Sequence, residues 1–225
     1  NDTADFRYAS GTPDKTYILG AHQTIGTIAF PTYGNQPNVT IGTAADAAAG
    51  NALTIMEGVF RGDNVGNWQT LRADIVLGTN TTWEVRPGYN SGVTVSGGMS
   101  GTGFGLTKWA SGTLRLQGTN TYTGNTVVRT GTLQLDFNNG TAPLANIVNP
   151  DSPLRMEGGY LHLLRKAAAS RSQTFNGVTA AIGATTARIE SNWDANARMT
   201  FDAFARMPGA TMNLRQPSGN TTIKA

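Results

Sequence analysis

Apolar and polar residues alternate in short runs along the whole chain, and nearly every run stops at Gly, Asn, Pro or Thr. The clearest runs are Leu114-Arg-Leu116, Thr126-Val-Val128 and Leu133-Gln-Leu135, with turn-forming residues between them. A period of two over three to six residues is that of a half-buried strand, whereas a helix spaces its apolar positions three and four apart. The same pattern predicts strands at Tyr17-Ile-Leu19, Ile25–Phe30, Val39–Ile41, Ala52–Met56, Gly58–Phe60, Ala73–Leu77 and Val93–Val95. After the central stretch it predicts more at Leu154–Met156, Tyr160–Leu163, Gln173–Phe175, Ala187–Ile189, Met199–Phe201, Thr211–Leu214 and Thr221–Ile223. Ala44 to Ala49 is too short to hold as an independent helix and is expected to be a corner excursion, with Leu164 to Ala169 a single helical turn or a loop.

The runs also return. Gly112-Thr-Leu-Arg-Leu comes back nineteen residues later as Gly131-Thr-Leu-Gln-Leu, and Val93-Thr-Val-Ser-Gly97 aligns with Leu114-Arg-Leu-Gln-Gly118 at an offset of twenty-one. Gly78-Thr-Asn-Thr-Thr-Trp83 is echoed by Gly118-Thr-Asn-Thr-Tyr122 forty residues on, about two coils, and Thr54-Ile-Met-Glu-Gly58 by Leu154-Arg-Met-Glu-Gly158. A return near twenty residues is the mark of a stacked repeat in which each coil buries its apolar face against the last. At about twenty-two residues per coil the chain makes about ten rungs, a rod of roughly 50 Å. Residues 1–16 are polar and turn-rich and read as an irregular entry segment or cap, and residues 17–225 as one β-helix domain.

Composition agrees. Charged residues make up 14% of the chain, against roughly 25% in ordinary soluble domains, and Thr, Gly and Asn take their place. That mixture favours extended chain and tight corners. The absence of cysteine excludes a disulfide framework, a Cys-ligated metal and a thiol nucleophile. No apolar run is long enough to span a membrane as a helix. The net charge of +3 hides a gradient: residues 1–99 carry eight acids and five bases (−3), and residues 100–225 six acids and twelve bases (+6). In a solenoid this makes one end acidic and the other basic, which favours head-to-tail stacking of copies.

The central stretch is identified by Gly105-Leu106-Thr107-Lys108, Gly112-Thr113-Leu114, Leu116, Gly118, Asn120-Thr121-Tyr122, Gly124, Thr126, Val128 and Gly131-Thr132-Leu133. These residues at this spacing resemble the autotransporter-associated β-strand repeat of the passenger type. One departure falls at Ala110, where a Gly commonly follows the Lys by two. The resemblance implies a right-handed parallel β-helix, an extracellular or outer-surface location on a Gram-negative-type bacterium, and a motif without catalytic residues. It covers about thirty residues at motif strength and leads us to expect a passenger-like segment or a secreted relative. In such a stack Leu114, Leu116, Val128, Leu133 and Leu135 would point inward, and aligned Asn and Thr could form ladders between rungs.

Many parallel β-helices act on polysaccharides, so candidate chemistry has to be weighed. Glycoside hydrolysis needs two carboxylates facing one cleft, and the fourteen acids are scattered singly. Asp136 and Glu157 could stack across a rung at an offset of twenty-one, but Asp151 with Glu157 and Asp194 with Asp202 have no spacing that repeats. His22 and His162 are the two histidines, and His162 reads as an outward strand position. Gly101–Gly105 lacks the phosphate-loop spacing and reads as a turn. The tripeptide Arg61-Gly62-Asp63 invites an integrin-binding reading, although a Gly/Asp turn accounts for it. The thirteen Arg and four Lys are dispersed, unlike the clustered faces of nucleic-acid binders. Trp68, Trp83, Trp109 and Trp193 could stack on sugars, with Trp83 and Trp109 reading first as covers over corners. The sequons at Asn38 and Asn80 read as by-products of Asn/Thr richness.

The expectation is therefore an exported, non-catalytic structural passenger or stalk with no cofactor or metal, able to assemble head to tail. Its expected partners are copies of itself or surface glycans, not nucleic acid. An adhesin using loops such as Arg61 to Asn67 is the alternative, and a polysaccharide lyase or hydrolase the third reading.

Overall fold

In a computed structural model the chain winds into a parallel β-solenoid. The structure describes residues 2–9, 12–31, 37–63, 67–88, 91–140, 142–165, 170–181, 183–191, 197–215 and 221–224. One face, sheet A, stacks β1 (Thr3–Asp5), β3 (Gln23–Phe30), β5 (Ala52–Arg61), β8 (Thr81–Val85), β11 (Leu106–Trp109), β13 (Thr126–Val128), β15 (Leu154–Met156), β18 (Val178–Ala180) and β21 (Phe204–Arg206). The second, sheet B, stacks β2 (Lys15–Tyr17), β4 (Val39–Ile41), β6 (Trp68–Leu71), β9 (Gly92–Val95), β12 (Thr113–Leu116), β14 (Thr132–Asp136), β16 (Tyr160–Arg165), β19 (Ala184–Ser191) and β22 (Thr211–Arg215). Both orders follow the chain, so sequence position maps onto height in the stack. Among the described residues nine strands stack along each of these two faces, slightly fewer than the expected ten, and at ~4.8 Å per level the stack is roughly 40 Å tall.

A third face closes the triangle. It holds β7 (Asp74–Leu77), β10 (Met99–Ser100), β17 (Arg171–Phe175), β20 (Ala197–Phe201) and β23 (Thr221–Lys224). At the lower levels β3 and β5 supply it by bending: Leu53–Ile55 pairs with β7, while Gly58–Arg61 pairs with β8 in sheet A. The bend falls at Glu57–Gly58. Gly58 has φ +157°, and a Cβ there would sit 1.8 Å from the Thr82 carbonyl oxygen, so no other residue fits without moving backbone.

Between β10 and β17 this face contains almost no strand, and side-chain amides make the missing ladder bonds. Asn120 Oδ1 accepts from the Met99 N–H at 3.0 Å and Asn120 Nδ2 donates to the Ile147 carbonyl at 2.7 Å. Asn146 Oδ1 accepts from the Thr174 N–H at 2.9 Å. Gln173 accepts from the Val148 N–H and donates back to its carbonyl, at 3.0 and 2.8 Å. A primary amide presents the same donor and acceptor as a peptide group, so it can stand in for one rung of backbone.

The core is the column of inward residues. Val59, Trp83, Lys108, Val128 and Met156 succeed one another in sheet A, and Leu71, Val95, Leu116, Leu135 and Leu163 in sheet B. The five residues expected to point inward are all fully buried. Trp83 corrects an expectation: it is 0% exposed and belongs to the core instead of covering a corner.

The registers also separate good repeat readings from weaker ones. Leu114 pairs with Leu133 and Val93 with Leu114, at the nineteen and twenty-one residues read from the sequence. Elsewhere the coil is longer, reaching thirty-one residues between Thr27 and Gly58. The forty-residue echo spans two levels, but the register over those levels is forty-five, through Thr81, Leu106 and Thr126. Tyr122 therefore does not lie above Trp83. Ala44–Ala48 does form a helix, α1, against expectation. A capping box explains it: Thr43 Oγ1 accepts from the Asp46 N–H at 3.1 Å, and the Asp46 carboxylate accepts from the Thr43 N–H at 2.9 Å. Of Leu164–Ala169, the first two residues belong to β16 and 166–169 lie outside the described residues.

Candidate functional site

The motif residues of the central stretch build the stack. Leu106, Leu114, Leu116, Val128 and Leu133 fill the interior, and Gly105, Gly112, Gly124 and Gly131 stand at corners or strand entries. Gly118 lies against the next coil down, where a Cβ would come 2.2 Å from the Gly97 carbonyl oxygen. Thr107, Thr113 and Thr132 are half-buried on the outer faces, and the Thr121 N–H donates to the Met99 carbonyl at 2.7 Å.

Tyr122 and Lys108 need more explanation, because both bury a polar group. Ser152 Oγ donates to the Gly124 carbonyl at 2.6 Å, which only accepts, so Thr126 must donate to Ser152 (2.8 Å) and Tyr122 to Thr126 (2.7 Å). This one-way hydroxyl chain satisfies Tyr122 in the core, and burial raises its pKa. Lys108 is 0% exposed, and its Nζ donates to the carbonyls of Trp109 (2.8 Å), Ala110 (2.5 Å) and Thr130 (3.2 Å). Burial pushes its pKa down to about 7. Ala110, at the departure from the motif, holds φ +65°, the left-handed conformation that glycine adopts freely.

The candidate chemistry is dispersed. Asp136 ends a strand of sheet B while Glu157 follows Met156 of sheet A, so the two do not stack. Glu157 lies between Arg155 and Arg129, whose guanidinium Nε atoms donate at 2.5 and 2.8 Å. Together they hold its pKa below the ordinary carboxylate range despite partial burial, the opposite of what a general acid needs. His22 Nε2 lies 2.8 Å from Thr54 Oγ1. Among the described residues no group of three or more His, Asp or Glu side chains could hold a metal ion. Asp194 and Trp193 lie outside the described residues.

Arg61 is likewise accounted for. It is 0% exposed and donates to the Arg86 carbonyl at 2.7 Å and to Ser91 Oγ at 2.5 Å. A guanidinium held inside cannot be presented to a receptor, so the integrin-type reading of Arg61–Asp63 is overturned. Residues 64–66 of the loop lie outside the described residues.

The outer face of sheet B carries a ladder of polar groups. Thr40, Thr70, Thr94, Arg115, Gln134 and His162 follow one another in register. Arg115 Nε donates to Gln134 Oε1 at 2.7 Å, which turns the Gln134 NH₂ toward His162 Nδ1 at 3.0 Å. That nitrogen must then accept, so the bonded imidazole is neutral. Arg115 also lies 3.8 Å over the Trp68 ring and 3.6 Å from Asp136. Beside this ladder runs a groove of about 750 Å³ between α1 and Asn139, floored by Thr70, Thr94 and Ser96. Trp68 is half-buried there and Trp109 is 44% exposed on sheet A. Sequence reasoning named Trp68 but missed the groove, because Arg72, Ser96 and Arg115 meet only once the offsets of twenty-four and twenty-one are known.

No helix among the described residues is long and apolar enough to cross a membrane. No curated protein and no solved structure matches the chain. Residues 106–135, which form the paired strands at mid-height, match the family model of the passenger-associated-transport-repeat, and the chain carries an autotransporter passenger repeat at the centre of its solenoid.

Proposed function

We propose that this chain is a non-catalytic structural segment of an exported passenger, displayed outside a Gram-negative-type cell as a rod that holds other parts away from the surface. One observation carries the reading: the matched repeat uses its defining residues on construction. Its leucines fill the core, its glycines let coils approach, and Asn120 and Lys108 satisfy backbone groups that the corners leave without partners. Among the remaining acids, Glu157 and Glu84 are ion-paired with arginines, an arrangement suited to a solvated structural face. Protease shaving of intact source cells tests the location: release of fragments of this chain supports surface display, and full protection refutes it. An assay on a polysaccharide panel with and without Ca²⁺ tests the absence of catalysis, and any turnover removes that part of the reading.

The charge gradient favours a further element of the same proposal. Because chain order is height order, the acidic residues 1–99 and the basic residues 100–225 occupy opposite ends, and copies stacked head to tail would bring unlike ends together. Such a contact is heterologous and does not close. Light scattering across ionic strength checks it, with growth at low salt reversed by added salt as the expected result; a strict monomer throughout refutes it.

A further inference from the structure

We infer that the groove on the outer face of sheet B is a binding site for a neutral oligosaccharide chain. Its volume of about 750 Å³ falls in the range of ligand sites, and it does not end at the face. A second depression of about 340 Å³ shares Asp74 and Gly98 with it and is lined further on by Thr119 and Thr121. Two open depressions side by side suit a chain of linked units better than a compact molecule.

Its chemistry selects the class. The half-buried Trp68 indole borders the groove beside the Arg115 guanidinium, which lies 3.8 Å over its ring. Gly92 makes room for it, since a Cβ there would meet the ring at 2.6 Å. Thr70, Thr94 and Ser96 line the floor, and Gln117 stands at the edge. Ser96 Oγ carries the argument furthest: it is buried from solvent and has no hydrogen-bond partner in the protein. A buried hydroxyl without a partner destabilises the free protein, so turning the Ser96 side chain toward the groove to meet a ligand hydroxyl would gain a bond that the free protein does not make.

The charges favour a neutral ligand. Arg72 and Arg115 are balanced by Asp74 in the groove wall and by Asp136 against Arg115, which leaves no net attraction for a polyanionic glycan. A peptide strand is disfavoured for another reason. It binds by adding to a free sheet edge, whereas β6 and β9 are hydrogen-bonded to strands on both sides. The groove offers side chains alone. This inference goes beyond the structural role proposed above, which is tested by location and turnover, so either can fail without the other.

The test uses the full chain with a panel of short neutral oligosaccharides of the gluco, galacto, manno and N-acetylglucosamine series, beside a uronic-acid oligosaccharide and an extended peptide, read by titration calorimetry and tryptophan fluorescence. Variants are Trp68→Ala, Ser96→Ala and, as a control on another face, Trp109→Ala. Wild type is expected to bind at least one series, with Trp68→Ala and Ser96→Ala each weakening it by at least about tenfold and Trp109→Ala leaving it unchanged. Ser96→Ala gives a second readout, because removing an unpartnered hydroxyl should leave the melting temperature equal or higher while binding falls. The inference is overturned by absence of binding up to about 10 mM, by affinity that neither groove variant changes, or by binding confined to polyanionic glycans or peptides. If Trp68→Ala fails to fold, Ser96→Ala alone decides.

Discussion

Lys108 is the residue whose replacement reads the construction of the repeat most directly. Its stem occupies the inward column between Trp83 and Val128, and its Nζ ends among three backbone carbonyls. Replacement by Met keeps a long apolar stem but leaves those carbonyls without their donor, and a lost hydrogen bond in a buried site costs about 1–3 kcal/mol. Replacement by Ala also removes three methylenes, at about 0.8 kcal/mol each, so it should cost roughly 2 kcal/mol more than Met. The pH dependence follows from burial, which pushes the native pKa down to about 7 from an unfolded value of 10.5. Between those values the unfolded chain binds the extra proton, so native stability rises with pH across that window. The deficit of Lys108→Met should therefore be smallest near pH 6 and grow up to about pH 10. Urea unfolding followed by tryptophan fluorescence, with Trp83 as the neighbouring reporter, measures both. A Met variant as stable as wild type at pH 9 would refute the donor role of the amine, and a deficit that does not change from pH 6 to 10 would refute its lowered pKa.

Three other outcomes can be checked with the same unfolding assay. Ala110→Gly should stabilise by about 0.5–1 kcal/mol, because relief of the left-handed backbone, worth about 1–2 kcal/mol, exceeds the extra entropy of glycine; a loss of stability would show that φ +65° carries no strain. Gly118→Ala should destabilise by about 1–3 kcal/mol, since its Cβ meets the immovable Gly97 carbonyl, and an unchanged midpoint would contradict the close approach. Burial opposes ionisation of Asp46, but bonds from Thr43, Asn51 and the N–H groups of Gly20 and Leu19 outweigh it and lower its pKa to about 2. The stability it contributes is present above the ordinary carboxylate pKa and lost as pH falls from about 4 to 2. Hydrogen exchange at residues 43–51 should accelerate over that interval in wild type and not in Asp46→Asn, and equal acid sensitivity would refute it.

The strands and two of the registers were legible in the sequence because alternation and corner glycines are local signals. Leu114 over Leu133 and Val93 over Leu114 could be read by eye. Register elsewhere was not, since coil length varies with what the corners contain and a constant period misplaces every residue beyond the first insertion. Asp136 and Glu157 failed for this reason: an offset close to one coil put them on different sheets. Trp83 was misread because large aromatics are rarely buried completely, and here its indole Nε1–H finds Thr81 Oγ1 at 3.1 Å inside the core. The part of the third face between β10 and β17 was hidden because Asn120 and Asn146 make with side-chain amides the bonds that strand backbone would make, which leaves no run of alternating residues to detect. The signal for α1 was present, as Thr43 and Asp46 at the spacing of a capping box, and was overlooked because so short a helix is marginal without it.

The unequal coils bear on how such a rod can diversify. The long returns, through α1 before β5 and through 138–140 and 142–145 after β14, add outer chain after the end of a sheet B strand, while the strands on either side keep their partners. Decoration and scaffold are thus decoupled: a lineage can lengthen, shorten or exchange the outer segment of one coil without repacking the leucines beneath it. The two largest such ornaments supply Ala44 and Ala47 on one bank of the groove and Asn139 on the other, so its width and lining can be retuned by changes the core never registers.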